Sequence, residues 1–183
     1  MNTNKIQPQA AEIEDAIIGS IIYENEAFDL VSGMLKQEHF YKSSNALIYK
    51  ACYNLATNNK PIDLLTVCTE LKNNGDLEMA GGSYYISSLS NGIGSISNIE
   101  THAAILIQKY LLREMILLGS KIVKKGYEDT TDCFELIDYC GTQLNQLLNI
   151  LEAKKAKKLN ELSEEVLIDC FKSLTEDKPS GIP

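Results

Sequence analysis

Apolar residues recur at steps of three and four along almost the whole chain, and glycine, asparagine, serine and proline interrupt them at short intervals. This spacing is typical of amphipathic α-helices, and we find no convincing strand pattern. The sequence therefore predicts an all-α fold. Its first three helices are expected over about Ala10–Tyr23, Phe28–Leu35 and Ser43–Ala56.

Capping residues delimit the next helices. Asp63 is placed to cap a helix N-terminus, with Ile62 before it and Val67 after it as a hydrophobic staple. Gly75 is suited to the left-handed conformation that ends a helix. After a Gly-Gly pair, a further short helix is predicted over about Tyr84–Leu89.

Two long helices are predicted next. The first runs from about Ser97 to Lys125, and its apolar residues crowd almost all round the helix. Either this helix is central to the fold or a second chain covers it. The second follows a cap at Thr131 or Asp132 and carries the apolar spacing of an antiparallel hairpin seam: Ile137, Cys140, Leu144, Leu147 or Leu148, and Leu151.

The C-terminal part has a different composition. A basic segment with four lysines between Lys154 and Lys158 is expected to be a linker, and Ser163 then caps a last helix. Its narrow apolar stripe favours docking on a partner over burial in the chain's own core: Val166, Leu167, Cys170, Phe171 and Leu174. We thus predict a helical head over 1–96, a helical hairpin over 97–151, and a linker with a docking helix over 152–183.

Composition narrows the class of protein. The 183 residues are 44% hydrophobic and 23% charged, as in a globular domain with one appendage. A net charge of −8 repels phosphate backbones, so tight DNA binding is not expected, and the lysine cluster is better explained as a solubilising linker than as a DNA contact.

Five cysteines without a CxxC pair indicate reduced, core-like thiols. Without a secretory core or a long apolar run, a soluble cytoplasmic protein is expected, with no membrane partner.

The sequence offers few candidates for catalytic, cofactor-binding or metal-binding residues. No G-x-x-x-x-G-K-[ST] loop occurs, and His39 and His102 have no ligand partners at metal-site spacing. Carboxylates such as Glu12 and Glu14 point to different sides of a helix. We therefore predict no catalytic, cofactor-binding or metal-binding residue in this chain. A small helical hydrolase or transferase, the enzyme alternative, would need a clustered polar site.

Several short motifs, in order, resemble the N-terminal domain of DnaB-type replicative helicases. The resemblance covers residues 7–118 and rests on these segments: Pro8-Gln9, Glu12, Glu14, Ala16 to Ser20, Phe40-Tyr41, Ile48-Tyr49 with Ala51, Pro61-Ile62-Asp63, Thr66, Glu70-Leu71, Gly81-Gly82 with Tyr85 and Leu89, Asn98-Ile99-Glu100, Ala103, Lys109, and Arg113-Glu114. Asn45 stands where many relatives have histidine, which puts a local polar contact in doubt.

The resemblance implies a collar that pairs with other copies into a dimer or a hexameric ring. The intersubunit seam candidates, chosen by helical phase, are Leu106, Tyr110, Leu117, Leu144 and Leu148. It also implies that the C-terminal helix packs on a neighbouring motor domain and that primase binds the collar; a helicase loader is a further partner it leaves open. The parent enzyme would be an ATP-dependent DNA helicase whose ATP and Mg²⁺ bind in a motor domain after Pro183.

One alternative interpretation assigns the chain to a different class of protein, a helicase-binding module. The helicase-binding C-terminal domain of a primase, or a stand-alone helicase adaptor, has a similar helical bundle and hairpin. The start at Met1 argues against the primase domain, because that domain ends a longer chain. A collar is therefore the favoured interpretation.

Overall fold

The computed structural model describes residues 6–91 and 96–151, and the regular structure in these ranges is helical throughout. This confirms the predicted all-α class. Short 3-10 helices lie at Gln37–His39 and Ile96–Asn98. The α-helices are α1 (Ala11–Tyr23), α2 (Asn25–Ser32), α3 (Ser43–Thr57), α4 (Leu64–Asn73), α5 (Gly82–Asn91), α6 (Ile99–Gly126) and α7 (residues 133–151).

The chain divides into two compact units between Ser120 and Lys121, inside α6. The first unit contains α1 to α5 and most of α6. The second begins with the last residues of α6 and includes α7. Among the described residues, no helix combines the length and the apolar character that a membrane crossing would need.

Helix α1 lies at the centre of the first unit and packs against α2, α3, α4 and α5. Ile17, Ile18 and Ile21 are completely buried, so this helix contacts neighbours on more than one side. The acidic residues in its first turn interact favourably with the positive end of the helix dipole and so stabilise the helix. The chain leaves the helix at Glu24, whose backbone is extended.

Helix α2 begins and ends three residues earlier than predicted. It starts at Asn25 because extended Glu24 breaks α1, and it ends at Ser32. The N–H groups of Met34 and Leu35 both bond to the Val31 carbonyl, so the chain turns there while Leu35 is still buried. Phe28, Val31 and Leu35 therefore keep a helical spacing although Leu35 lies beyond the end of α2.

The predicted ends of α4 are confirmed. Asp63 Oδ1 accepts the Thr66 N–H at 2.8 Å, and Thr66 Oγ1 accepts the Asp63 N–H at 2.9 Å. At the other end, Gly75 has φ +76°. Its N–H bonds to the Lys72 carbonyl and the next N–H bonds to the Leu71 carbonyl, which is the Schellman pattern.

In the second unit the chain reverses direction after α6. Asp132 Oδ1 accepts the N–H groups of Phe134 and Glu135 at 2.7 and 3.2 Å, which caps α7 as one of the two predicted alternatives. The ammonium of Lys125 lies 5.2 Å from the centre of the Tyr139 ring. This contact holds the end of α6 against the first half of α7.

Candidate interaction surfaces

A polar cluster joins α1, α3 and α5 in the first unit. Lys42 Nζ lies 2.7 and 2.9 Å from the two carboxylate oxygens of Asp15, and Asn45 Nδ2 donates to Asp15 Oδ1 at 2.8 Å. The Tyr85 hydroxyl lies 2.9 Å from Asn45 Oδ1 and 3.2 Å from Asp15 Oδ1. Burial lowers the pKa of Lys42, but the hydrogen bond to Asp15 and the further charge and hydrogen-bond interactions with Tyr85 and Asp15 together outweigh this effect, so the pKa of Lys42 is raised.

The contact that the Asn45 departure put in doubt is therefore present, because the completely buried Asn45 amide bonds to both Asp15 and Tyr85. Next to this cluster, the buried carboxylate of Glu14 accepts the N–H groups of Tyr41 and Lys42 at 2.7 and 3.0 Å. These contacts fix the start of α3 on α1. Each group has a structural partner, so the cluster holds helices together and presents no free acid or base.

Arg113 of α6 ties three distant segments together. Its guanidinium donates to the carbonyl of Pro8 at 3.1 Å and to the carbonyl of His39 at 2.7 Å. The same group lies 5.6 Å from the Tyr41 ring centre and 5.8 Å from that of Tyr110. Cation–π contacts and charge-assisted hydrogen bonds thus occupy this side chain inside the first unit.

His39 is buried beside Arg113. Its ring stacks on Tyr110 with 4.8 Å between ring centres, and its Nδ1 accepts the Lys36 N–H at 3.2 Å. Burial lowers the pKa of His39 to about 4; the nearby Glu38 opposes this change, while Lys36 and Arg113 add to it. The imidazole is therefore neutral near pH 7 and acts as a hydrogen-bond acceptor.

The described residues contain no group of three or more His, Cys, Asp or Glu side chains that could hold a metal ion. Cys52, Cys68, Cys133 and Cys140 are free thiols. Cys52 is buried, which raises its pKa to about 12, but Cys133 is exposed. The expectation of core-like thiols is thus wrong for Cys133, which lies on the outer side of the first turn of α7.

The structure places the seam candidates in different surroundings. Leu106 is completely buried in the first unit, where it has no surface for a second chain. Tyr110 is half-buried because its ring stacks on His39. Leu117, Leu144 and Leu148 are 47%, 46% and 52% exposed, so these three side chains are accessible to a partner.

Further large apolar side chains are exposed in each of the two units. On α6 they are Leu112, Met115, Ile116 and Val123, and on α7 they are Phe134, Ile137 and Leu151. Between residues 121 and 151 the structure buries no residue at all. Soluble domains rarely leave so many large apolar side chains uncovered, so the exposed apolar residues of each unit are candidates for a protein interface.

A cavity of about 330 Å³ lies between α3 and the connection from α2 to the 3-10 helix. Its walls include Tyr49 and Tyr53, and the Tyr49 hydroxyl donates to the Leu35 carbonyl at 3.0 Å. Lys36, Lys50 and Glu38 line it as well. The connection has no phosphate-binding glycine loop, so the cavity suits a partner's apolar side chain better than a nucleotide.

The remaining candidates lie outside the described residues. These are the linker lysines and the docking stripe of Val166, Leu167, Cys170, Phe171 and Leu174. Their role stays a prediction from the sequence.

Comparison with known proteins gives consistent matches. The family described as DnaB-like helicase N terminal domain matches residues 6–108. The replicative DNA helicase DnaB of Rhodothermus marinus is 36% identical over 163 residues, which are 89% of this chain and 17% of that protein. The corresponding protein of Nostoc sp. is 39% identical over 98% of this chain and 20% of its own length. The replicative DNA helicase DnaC of Bacillus subtilis is 29% identical over 94% of this chain and 37% of its own length.

Solved structures show the same fold. The N-terminal domain of DnaB helicase from Mycobacterium tuberculosis superimposes with a TM-score of 0.72 at 26% identity, covering 77% of this chain and 99% of that one. A DnaB-like replicative helicase, solved in a study of its interactions with primase, has a TM-score of 0.60 at 19% identity and covers 75% of this chain and 30% of its own. The chain thus spans well under half the length of the curated relatives cited above.

Proposed function

Since the chain belongs to the family of DnaB-like helicase N-terminal domains, we propose that it is the collar of a hexameric replicative DNA helicase and acts through interfaces. The observation that carries this proposal is the set of uncovered apolar side chains in the second unit, between residues 121 and 151. Among the described residues none between 121 and 151 is buried, which supports a second subunit that covers them. Leu117, Leu144 and Leu148 are the seam residues that this proposal retains.

Self-association is the direct test. The 183-residue chain has a mass of 20.3 kDa, and sedimentation equilibrium should show a dimer or a larger assembly. Leu144→Asp with Leu148→Asp should return it to the monomer, because an unpaired carboxylate would be buried in the seam. Gln146→Asp, on an exposed position of the same helix, is the matched control and should leave the mass unchanged. A monomer at every concentration would overturn the proposal.

The parent protein, on this proposal, unwinds duplex DNA at the replication fork in the bacterial cytoplasm. ATP and Mg²⁺ would bind in a motor domain beyond Pro183, because this chain contains no G-x-x-x-x-G-K-[ST] loop and its described residues form no metal cluster. Sequencing the gene past the Pro183 codon tests this point. A phosphate-binding loop within roughly the next 50 codons supports it, and a stop codon at that place refutes it in favour of a stand-alone adaptor.

Primase is the proposed external partner. The family membership supports this choice, and one structural neighbour was itself solved in a study of interactions with primase. Titration calorimetry of this chain with the primase from the same genome should show saturable binding. No heat at concentrations of about 100 µM would contradict a primase contact within this chain. We further propose that the helix that the sequence predicts after Ser163 docks on a neighbouring motor domain, and that a loader binds the same linker region.

A further inference from the structure

The cavity of about 330 Å³ in the first unit has no part in the proposed self-association. One of its walls is the connection from the end of α2 to the 3-10 helix, residues 32–38, and the other is α3, through Tyr49, Lys50 and Tyr53. None of the residues that line it belongs to α6 or α7. We call this cavity the α3 pocket. Its volume lies at the lower end of the range for ligand pockets and can hold a large side chain of a partner.

Hydrogen bonds and ring contacts fix the walls of the α3 pocket. The hydroxyl of Tyr49, a residue that is 1% exposed, donates to the Leu35 carbonyl at 3.0 Å and so ties the connection to α3. The Tyr49 ring centre lies 6.0 Å from that of Phe28 and 5.0 Å from that of Phe40. A preformed site loses less conformational entropy when it binds a partner.

Tyr53 and Met34 offer the apolar contact surface. Tyr53 is 52% exposed, although the edge of its ring packs on Phe28 with 6.4 Å between the ring centres. Met34 is half-buried, and its unbranched thioether side chain can adapt to an irregular partner. A tyrosine that lines a pocket is typical of the positions that contribute most to protein binding. The α3 pocket therefore suits an aromatic or large aliphatic side chain.

Two lysines line the α3 pocket from its two walls. Lys36 belongs to the connection and Lys50 to α3, and both residues are exposed. Within the ranges that the structure describes, neither ammonium has a carboxylate oxygen within 4 Å. Glu38 is the one acidic residue of the lining, so the α3 pocket carries an excess of positive charge in a chain whose net charge is −8. Carboxylates beside the apolar group of a partner would complement it.

We propose that the α3 pocket binds a short acidic segment of another protein. An aromatic side chain of that segment packs on Tyr53 and Met34, and its flanking carboxylates pair with Lys36 and Lys50. Apolar burial supplies most of the affinity, and the charges select an acidic partner. This docking site is independent of the proposed self-association.

Labelled synthetic peptides test the chemistry of the partner by fluorescence anisotropy with the full 183-residue chain at physiological salt. The first peptide has one phenylalanine between two pairs of aspartates. The second has alanine in place of the phenylalanine, and the third has lysines in place of the aspartates. We expect a dissociation constant on the order of 10⁻⁴ M for the first peptide and at least about fivefold weaker binding of each of the other two.

Charge reversal in the chain tests the role of the lysines. Lys36→Glu with Lys50→Glu should weaken binding of the first peptide by at least about tenfold, because like charges then face each other. Lys60→Glu with Lys72→Glu is the matched control, since both lysines are exposed, lie outside the lining and give the same change in net charge. This control should change the affinity by less than about twofold.

Tyr53→Ala removes the aromatic wall and should weaken binding by at least about fivefold. Tyr23→Ala is its control, because Tyr23 is 72% exposed and does not line the α3 pocket. Circular dichroism verifies that each variant keeps its helix content. The lysine variants, altered only at exposed positions, keep the test decisive if Tyr53→Ala loses helix.

Three results would overturn the proposal. Equal affinity for the phenylalanine and alanine peptides, or for the two lysine double variants, would leave only unspecific attraction of charges. Displacement of the peptide by a single-stranded oligothymidine would assign the lysines to nucleic acid. A Tyr53→Ala chain whose mass in sedimentation equilibrium differs from the wild type would assign the α3 pocket to a contact between copies. The first two results would leave the proposed self-association through α7 intact.

Discussion

Among single residues, Arg113 makes contacts that span the first unit. Its two hydrogen bonds reach carbonyl groups 105 and 74 positions away in the sequence. Hydrogen bonds that involve a charged group are stronger than those between neutral groups. The side chain therefore fixes both the first described residues and the loop before α3 onto α6.

Arg113→Met tests this role. Methionine keeps most of the side-chain length but removes all donors, so both carbonyls lose a partner. We expect the free energy of unfolding to fall by about 2 kcal/mol. Urea denaturation followed by circular dichroism measures it, and Lys121→Met at an exposed position of the same helix serves as the control. Equal stability of the two variants would show that Arg113 is dispensable.

His39 makes the folding stability of the first unit depend on pH. Its pKa is lowered to about 4 in the folded chain by burial, whereas an unfolded histidine titrates near 6.5. The unfolded state therefore binds a proton first as the pH falls. The contribution of the neutral ring is complete above about pH 6.5 and is lost as the pH falls to about 4.

His39→Asn isolates this effect, because the amide oxygen can still accept the Lys36 N–H while the side chain no longer titrates. Between pH 7 and pH 4 the wild-type chain should lose on the order of 2 kcal/mol more stability than the variant. Thermal or urea unfolding at several pH values measures the difference. Parallel curves for the two proteins would exclude His39 as the source.

Long-range polar partners could not be read from the sequence. Glu14 and Asp15 were visible as acidic residues of a helix surface, but their partners lie 27 to 30 positions away in the sequence or further. Leu106 shows a second limit of prediction from the sequence. Helical phase identifies an apolar face, but a face that meets the chain's own core has the same spacing as one that meets a second chain.

At the scale of elements, the turn before α5 controls where Tyr85 lies. Gly81 has φ +95°, and a Cβ atom there would be 2.7 Å from the Tyr85 ring. Glycine thus allows the ring to lie against the backbone, from where its hydroxyl reaches Asp15 and Asn45. The position of α5 on α1 depends on this close approach.

Gly81→Ala should therefore destabilise the chain by about 2 to 3 kcal/mol, since it combines a strained φ with a steric clash. Gly75→Ala is a matched control: its φ is +76°, but a Cβ atom would have no neighbour within 4 Å. The control should cost only about 1 kcal/mol. Urea titration of both variants separates the two effects, and similar losses would rule out the clash with Tyr85.

Element boundaries were predictable where a cap or a glycine marks them. Asp63 and Gly75 define both ends of α4, and their capping bonds are local in sequence. The ends of α2 were not, because its apolar positions keep a helical spacing through a turn. The exposed apolar positions of α7 were partly visible as alternating steps of three and four, but only the burial of each residue separates them from the half-buried positions of the same helix.

For the molecule as a whole, charge and surface chemistry favour protein partners over nucleic acid. The chain carries 25 acidic and 17 basic residues. Residues 139–151 of α7 contain no charged side chain and expose Leu144, Leu148 and Leu151, which suits association with another protein chain. Phosphate backbones require the opposite surface.

Fluorescence anisotropy with labelled single-stranded DNA checks this expectation. At physiological salt the dissociation constant should be weaker than about 10⁻⁴ M, because few phosphates can be neutralised. Lowering the salt should tighten binding little if lysines make no phosphate contacts. Micromolar affinity with a steep dependence on salt would instead assign DNA contact to the linker lysines.

The hydrogen bond between Arg113 and Pro8 also constrains the order in which parts of the chain can fold during its synthesis. The two residues are 105 positions apart, so the N-terminal segment cannot reach its final place until about half of α6 has been translated. At roughly 5 to 20 residues per second, that delay is on the order of 5 to 20 s. During most of this interval the isoleucines of α1 still lack α5 as a neighbour. The nascent head is therefore open to chaperones, and to heads on adjacent ribosomes, until Arg113 closes it.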